Sequence, residues 1–210
     1  EPLYAHYLKE TGLDHAMRDE VIASQPAEWS EVAAHLTGPI PEGAPVYYQK
    51  HMTHHLLDGV GRGWLAELVN CFLIREPKGM LPSLDQKLPN PRVEDTALPQ
   101  QVALFLEERE RTGETPPVID SKDVLLDPRG VLGALCDRLG IAFEDAMLSW
   151  PKGSRPTDGV WAAHWYGNVE ETTGFGPYRP NEGTLPPHLA AMYDECLALY
   201  ATLHTHRITA

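Results

Sequence analysis

The chain has 210 residues, of which 42% are hydrophobic and 22% charged, as in an ordinary globular protein. That length fits a single α/β domain over residues 1–210. The formal charge of -13 argues against a general binder of nucleic acid or of anionic membranes, although it leaves room for a local basic pocket.

The cysteines and the hydropathy pattern favour a cytoplasmic protein. Cys71, Cys136 and Cys196 are odd in number and lie in apolar patterns, which indicates buried thiols in a reducing compartment. No apolar run approaches the roughly 20 residues of a membrane span, so we expect no membrane partner.

The first third of the chain predicts helices and one strand. Apolar spacing predicts a helix over residues 2–11, ended by a glycine, and a second helix over 26–37. Residues 44–50, APVYYQK, predict a strand that ends at a lysine. A short helix over 64–68 follows.

The next stretch, NCFLIREPKGMLPSL, organises the chain. The apolar run 69–74 shows no alternation, which predicts a strand covered on both faces, as in a parallel sheet. Ligands of open α/β sheets bind just beyond the carboxyl ends of such strands, where Arg75 lies. Its guanidinium offers a bidentate fork for a phosphate or carboxylate, and Ser83 follows eight residues later.

The residue at which the helix after this strand begins decides whether Ser83 faces Arg75. If the helix begins at Pro77, Pro82 lies in its interior and should bend it. If it begins near Met80, Pro82 lies in the first turn and Ser83 follows directly.

The remaining elements are, in order, a surface loop over 85–97, a helix from Pro99 to Gly113, a strand over 117–120, a helix from Asp127-Pro128 to Gly140, a long loop over 152–175, and a helix from Pro186-Pro187 through Leu203. That last helix is expected to bury Leu197 among its apolar residues. Three strands separated by helices indicate a parallel sheet. Typical sheets have about four to six strands, so this sheet is small for the chain.

Several of these segments resemble one enzyme family. Arg-x-Pro after an apolar strand, with Ser eight residues past the Arg, resembles the 3'-phosphate-binding motif of sulfotransferases, which use 3'-phosphoadenosine 5'-phosphosulfate (PAPS). Residues 120–141 resemble a later strand, acidic turn and helix of that family, and 150–155 resemble its late Lys-Gly loop. Residues 158–175 are similar to a bacterial branch, some of whose members are labelled branched-chain aminotransferase-like, a label that their motifs do not justify.

The resemblance implies a three-layer α/β fold with a mostly parallel sheet flanked by helices, of the P-loop nucleotide-kinase-like kind. It implies a sulfotransferase that moves a sulfuryl group from PAPS to a hydroxyl or amine of a small molecule, without a metal or a nucleic-acid partner. Arg75, Ser83, Lys152 and Gly153 are then expected at the nucleotide, with Lys78 as a solvated turn residue or an assistant.

Lys50 resembles the family lysine that contacts the transferring sulfuryl group. A histidine shortly after it is suited to act as general base near neutral pH. His54 is favoured over His51, because strand alternation would turn position 51 away from Lys50; His55 is a further candidate. The histidines could instead form a metal site, which lacks a third ligand at a convincing spacing, or could only pack and cap.

One departure from the family is serious. Sulfotransferases hold the 5'-phosphosulfate with a Gly/Ser/Thr loop after their first strand, and this sequence has no G-x-x-x-x-G-K-[ST] pattern. From the resemblance we expect about 25 to 30 residues, enough for a strand and loop, to be missing before Glu1. The alternative is a protein that has lost the loop and its catalysis.

The sequence also permits functions of a different class. Two alternatives to a sulfotransferase are a non-catalytic nucleotide-binding or scaffold protein of the same fold and a P-loop kinase-like phosphotransferase. Four aromatic residues either wall an acceptor pocket or form a core under the long loop: Trp161, Trp165, Tyr166 and Phe175. An aminotransferase would need a Schiff-base lysine with a phosphate cup, and the sequence supplies no such pair. The sequence does not decide whether the chain forms a homo-oligomer.

Overall fold

The computed structural model describes residues 1–40, 43–88, 90–181 and 183–210. It is a mixed α/β structure that divides into two compact units. The first unit comprises Glu1–Val69 and Pro151–Thr173, and the second unit comprises Asn70–Trp150 and Gly174–Ala210. Within the described ranges, no helix combines the length and apolar character that crossing a membrane requires.

The α-helices are, in chain order, α1 (Tyr4–Thr11), α2 (Arg18–Ser24), α3 (Trp29–Leu36), α4 (Pro77–Lys87), α5 (Leu98–Thr112), α6 (Ser121–Leu126), α7 (Pro128–Leu139), α8 (Ala162–Trp165), α9 (Gly167–Glu170) and α10 (Ala190–His204). Short 3-10 helices lie at Thr53–His55, Gly63–Glu67, Val93–Thr96, Asp145–Leu148 and Pro187–Leu189. The two strands of the described chain are β1 (Phe72–Ile74) and β2 (Val118–Asp120).

The core of the first unit combines aromatic and aliphatic residues. Its buried members are Tyr4, Ala5, Leu8, Val21 and Trp161. The helix predicted over 2–11 is confirmed as α1, and it ends at Gly12 in the left-handed conformation. Helix α2 was not predicted, because only one of its seven residues is buried and it shows no apolar stripe.

The strand predicted over 44–50 is wrong. This segment forms no ladder with any described part of the chain, and the side chains of Val46 and Tyr48 are exposed. Instead, the side-chain amide of Gln49 donates a hydrogen bond to the backbone carbonyl of Leu36 at 2.7 Å. A strand needs a neighbouring backbone as partner, and apolar composition alone does not supply one.

The sheet of the second unit is a parallel pair in which Ile74 lies opposite Asp120. On the side of β2 away from β1, the carbonyl of Val118 accepts a hydrogen bond from the backbone N-H of Ile208 at 2.8 Å. Strand β1 is shorter than predicted, and it is covered on one face only. Its central residue Leu73 is 59% exposed, whereas Phe72 and Ile74 are buried against Phe105, Tyr200 and Leu203.

The cysteines are free thiols. Cys136 and Cys196 are buried as expected, but Cys71 is exposed, because it precedes β1 on the uncovered side.

Capping residues in the sequence predicted the ends of two helices of the second unit, α5 and α7, correctly. Asp127 accepts from the backbone of Gly130 at 2.9 Å, Pro128 begins α7, and Gly140 ends it in the left-handed conformation. Helix α5 likewise ends at Gly113.

Four details of the second half differ from the prediction. The loop predicted over 85–97 starts later, because α4 runs to Lys87, and it contains a 3-10 turn; Pro89 of that loop lies outside the described residues. The long loop over 152–175 contains the short helices α8 and α9. The last helix begins with a 3-10 turn at Pro187–Leu189 before α10. Leu197 of α10 is 37% exposed, not buried.

Candidate functional site

Arg75 lies at the carboxyl end of β1, one residue before the cap of α4. The residue is exposed, and its guanidinium donates to the carbonyl of Gly79 at 3.3 Å. A Cβ at position 79 would lie 3.6 Å from the guanidinium, in ordinary van der Waals contact, so Arg75 lies over the first turn of α4. Among the residues that the structure describes, Arg75 has no carboxylate partner, and most of its five N-H donors remain available.

Helix α4 begins at Pro77, which places Pro82 in its interior. Proline has no N-H, so the carbonyl of Lys78, four residues earlier, loses its helical partner. The side-chain amide of Asn181 donates to that carbonyl at 3.1 Å. The helix therefore tolerates Pro82 with the help of a residue distant in sequence.

Ser83 is exposed on α4, one turn beyond Gly79 on the same helix face. Arg75 contacts the preceding turn of that face through the Gly79 carbonyl. The structure thus aligns Arg75, Gly79 and Ser83 along one side of the helix that follows β1.

A buried carboxylate lies at the end of the neighbouring strand, and sequence reasoning did not single it out. Asp120 is 1% exposed, accepts from the backbone N-H of Lys122 at 2.7 Å, and accepts from the hydroxyl of Tyr200 at 2.5 Å. Burial, followed by the bond to Asp120, raises the pKa of Tyr200. The signal in the sequence was Asp as the last strand residue before a helix, which is an N-cap pattern.

Lys50 and its partner belong to the first unit. The ammonium of Lys50 forms an ion pair with the side-chain carboxylate of Glu1. The carboxylate is 11% exposed and the lysine side chain 45% exposed. Glu1 was not predicted at the site, because no spacing rule links residues 49 positions apart.

His51 is a neutral histidine with one nitrogen in use. Its Nε2 lies 3.1 Å from Oε1 of Gln49, and its buried Nδ1 has no hydrogen-bond partner among the described residues. Burial lowers the pKa of His51 to about 4, and the charge of Lys50 adds to this shift. The alternation argument that favoured His54 over His51 is wrong, because residues 44–50 are not a strand.

His55 is built into the aromatic core. It is 4% exposed and stacks on Tyr4 and Tyr7, with ring centroids 4.9 and 4.4 Å away. Burial lowers its pKa to about 2, and the neighbouring His54 lowers it further. His54 meets the edges of His55 and Tyr7 at 4.5 and 5.6 Å.

Lys152 and Gly153 also lie in the first unit. The ammonium of Lys152 pairs with the Glu171 carboxylate at 2.7 Å, and both side chains are exposed. Gly153 has φ +99°, which a residue with a Cβ rarely adopts, and its N-H donates to the carbonyl of Glu170 at 2.8 Å.

The four aromatic residues of the long loop are divided between the two units. Trp161 is 9% exposed in the core of the first unit, and its indole donates to the hydroxyl of Tyr166 at 3.4 Å. Trp165 is exposed. Phe175 belongs to the second unit, where it packs edge-on against Trp150 at 5.4 Å.

The structure groups the predicted site residues by unit. Arg75 and Ser83 lie together on the second unit. The other predicted residues belong to the first: Lys50, His51, His54, Lys152 and Gly153. Over the described ranges, no group of three or more His, Cys, Asp or Glu side chains is arranged to hold a metal ion.

Comparisons with known proteins identify the family of the chain. A family described as "Sulfotransferase domain" matches residues 1–205. Two proteins of Arabidopsis thaliana match 98% of the chain, "Branched-chain-amino-acid aminotransferase-like protein 1" at 34% identity and "protein 2" at 32%. The chain covers 37% and 36% of their lengths, so it spans little more than a third of these relatives. No solved structure matches the chain.

Proposed function

The chain belongs to the sulfotransferase domain family, and from this premise we propose that it transfers a sulfuryl group from PAPS to a hydroxyl or amine of a small molecule. The proposed fold is the three-layer, P-loop nucleotide-kinase-like one, and the parallel pair β1–β2 followed by α4 and α6 supports it. The observation that carries the function is Arg75, an exposed guanidinium at a strand's carboxyl end whose described contact is one backbone carbonyl.

Arg75 and Ser83 are proposed to hold the 3'-phosphate of the nucleotide. The guanidinium fork matches two phosphate oxygens, and the serine hydroxyl donates to a third. Lys152, a residue of the first unit, is proposed as a nucleotide contact from the family resemblance. An exposed ion pair such as Lys152–Glu171 is worth only about 0–1 kcal/mol, so it is readily exchanged for a phosphate.

Lys50 is proposed to stabilise the charge on the sulfuryl oxygens during transfer. The S–O bond to the 5'-phosphate of PAPS breaks, a new S–O or S–N bond forms to the acceptor, and 3'-phosphoadenosine 5'-phosphate (PAP) leaves. Such transfers depend mainly on positioning and charge stabilisation. The Glu1 carboxylate orients the lysine before the substrate binds.

The acceptor proton passes to a histidine, His51 or His54. Burial keeps the His51 ring uncharged at neutral pH, so its buried Nδ1, which has no hydrogen-bond partner among the described residues, carries a lone pair. His55 is excluded from this role by its stacking between two tyrosines. The variants His51→Gln and His54→Gln separate the two candidates, since only loss of the base lowers kcat without changing the affinity for PAP.

The test is calorimetry of PAP binding to the intact protein. Removing a charge-assisted phosphate contact costs about 1.5–3 kcal/mol, so Arg75→Ala should weaken binding by about 10- to 100-fold. Arg129→Ala is the matched control, an exposed arginine of the same unit that pairs with Asp145. Equal affinities of the two variants would refute the clamp.

Two further outcomes would favour a different function. Binding of ATP in preference to PAP would favour the phosphotransferase. Tight PAP binding without transfer of labelled sulfate to any alcohol, phenol or amine would favour the non-catalytic nucleotide-binding protein.

A further inference from the structure

Two tyrosines of α10 bind carboxylates at the ends of the two strands of the second unit. Tyr193 and Tyr200 are seven residues apart, so they lie on the same face of the helix. The hydroxyl of Tyr200 donates to Asp120 at the end of β2, and the hydroxyl of Tyr193 donates to Oε1 of Glu76 at 3.2 Å. Glu76 directly follows Arg75 in the chain, so the second of these bonds lies beside the candidate phosphate clamp.

The ring of Tyr193 is fixed by apolar packing. It packs against a core cluster whose buried members include Leu81 of α4 and Cys196 of α10. Burial, followed by the charge of Glu76 and the hydrogen bond to it, raises the pKa of Tyr193. The hydroxyl therefore stays protonated at neutral pH, and it remains a donor that the packed ring holds in one place.

The carboxylate of Glu76 is not used to cap the helix. Glu76 is the N-cap residue of α4, but its side chain makes no capping hydrogen bond, and its backbone carbonyl accepts from the N-H of Gly79 at 3.2 Å. Within the described ranges, the hydroxyl of Tyr193 is the one hydrogen-bond donor to this carboxylate. Loss of that hydroxyl would therefore leave the carboxylate free to find another donor.

A carboxylate that follows an arginine in sequence can compete for its guanidinium. The chain shows such a pair elsewhere, because Nη1 of Arg18 lies 2.7 Å from Oδ1 of the next residue, Asp19. Arg75 and Glu76 follow each other in the same order, yet no carboxylate is among the described partners of Arg75. The described contacts of Asp19 include no tyrosine hydroxyl, whereas Glu76 is bound by Tyr193.

We propose that Tyr193 is a positioning residue of the phosphate clamp, and that its hydroxyl holds Glu76 away from Arg75 so that the guanidinium stays free for the nucleotide. The hold on Glu76 stands on the contacts of these side chains, whereas its effect on binding rests on the clamp function proposed for Arg75. Without the hydroxyl, the carboxylate of Glu76 pairs with the guanidinium and places a negative charge where the phosphate binds. Tyr193 acts through Glu76 and not by a contact of its own with the nucleotide.

The hold on Glu76 is tested without nucleotide, with the Nε-H resonance of Arg75 as the readout. Tyr193→Phe keeps the packed ring and removes only the hydroxyl. It should shift this resonance, because Glu76 then pairs with the guanidinium. In a Glu76→Gln background the same substitution should leave the resonance in place, since glutamine brings no charge. An unchanged resonance in Tyr193→Phe, or an equal shift in both backgrounds, would overturn the proposal.

Calorimetry of PAP binding tests the consequence for the clamp. Competition from an exposed ion pair should weaken PAP binding by about three- to fivefold in Tyr193→Phe. In the Glu76→Gln background the same substitution should leave the PAP affinity unchanged, because the competing charge is gone. A merely structural role of the tyrosine predicts equal weakening in both backgrounds. That result, or an unchanged affinity in Tyr193→Phe, would overturn the positioning role.

Tyr178→Phe is the matched control, because it removes a tyrosine hydroxyl of the same unit that has no hydrogen bond within the described ranges and keeps the ring beneath Lys122. It should change neither the resonance nor the PAP affinity, and effects equal to those of Tyr193→Phe would overturn the proposal. If Arg75→Ala leaves PAP binding intact while the resonance results hold, the proposed function fails and the hold on Glu76 remains. If Arg75→Ala weakens PAP binding and Tyr193→Phe does not, the positioning role alone fails.

Discussion

The two units hold their candidate side chains by different means. In the second unit, Arg75 lies between a strand and a helix, and the neighbouring Asp120 is tied by two hydrogen bonds at the end of β2. In the first unit, Lys50 and His51 lie on irregular chain and are held by Glu1, Gln49 and packed rings. Backbone geometry positions the first group, and side-chain packing positions the second.

This difference suggests a division of labour. A nucleotide anchor must bind one unchanging phosphate, and the end of a strand gives it a fixed place. The side chains proposed to act on the transferring group and on the acceptor lie on loops, which commonly carry functional residues on a fixed scaffold. Four experiments test the contrast, in order of the effect expected.

The largest effect is expected for Lys50→Ala. Removing a preorganised charge that stabilises a transition state costs about 10²- to 10³-fold in kcat. The affinity for PAP should stay unchanged, because Lys50 is proposed to contact the sulfuryl group, which PAP lacks. Lys9→Ala, which breaks the similar surface pair with Glu28, is the control. A loss of PAP affinity in Lys50→Ala that matches its loss of kcat would break the proposed division.

In the second unit, Asp120→Ala should lower the free energy of unfolding by about 2–4 kcal/mol, because it removes a helix cap and leaves the Tyr200 hydroxyl buried without its acceptor. Asp127→Ala removes only an exposed cap and should cost about 1 kcal/mol. Urea denaturation measures both. A cost for Asp120→Ala no greater than for Asp127→Ala would show that the buried bond does not stabilise the sheet.

In the first unit, stability should depend on pH. His55 has a pKa of about 2 when folded and about 6.5 when unfolded. Between these values the unfolded state binds more protons, so stability is complete above pH 6.5 and falls as the pH drops. The loss is about 1.4 kcal/mol per pH unit, or about 2 kcal/mol by pH 5.

His51, with a folded pKa of about 4, also lowers the stability of the folded protein as the pH drops below 6.5. Urea titrations at pH 7 and pH 5 measure the slope. His55→Phe keeps a ring between the tyrosines and should reduce the slope, whereas the exposed His164→Gln serves as control. An unchanged slope in His55→Phe would contradict the assignment.

The smallest effect on the free energy of unfolding is expected when the hydrogen bond to the Lys78 carbonyl is removed. Asn181→Ala removes its donor and should cost about 1 kcal/mol, the worth of one neutral hydrogen bond. In a Pro82→Ala background the new N-H satisfies the carbonyl, so the same substitution should cost close to nothing. A double-mutant cycle measures this coupling, and additive effects would show that Asn181 does not compensate for the proline.

The sequence predicted the second unit better than the first, for physical reasons. Helix α7 carries its own signals, an aspartate cap, a proline in the first turn and a terminal glycine, and these act within a few residues. The position of Arg75 after a strand was predicted for the same reason. These local signals do not depend on how the rest of the chain folds.

The errors concern non-local partners. The segment 44–50 has strand composition, but a strand also needs a neighbour, and no local signal reports one. Leu73 reads as buried because apolar runs cannot show which face of a strand is covered. The pairing of Glu1 with Lys50 joins residues far apart in the chain. Whether the segment that carries Arg75 begins its helix at Pro77 or at Met80 was undecidable, since either proline suits a first turn.

The interleaving of the two units has a consequence for biosynthesis. The chain passes from the first unit to the second, returns for residues 151–173, and then completes the second. Trp161 reaches the first core only with the returning segment, and β2 receives its bond from Ile208 near the end. Neither unit can therefore finish folding on the ribosome as an early, independent piece. Fragments cut at residue 69 or 150 should emerge with unsealed cores and depend on chaperones.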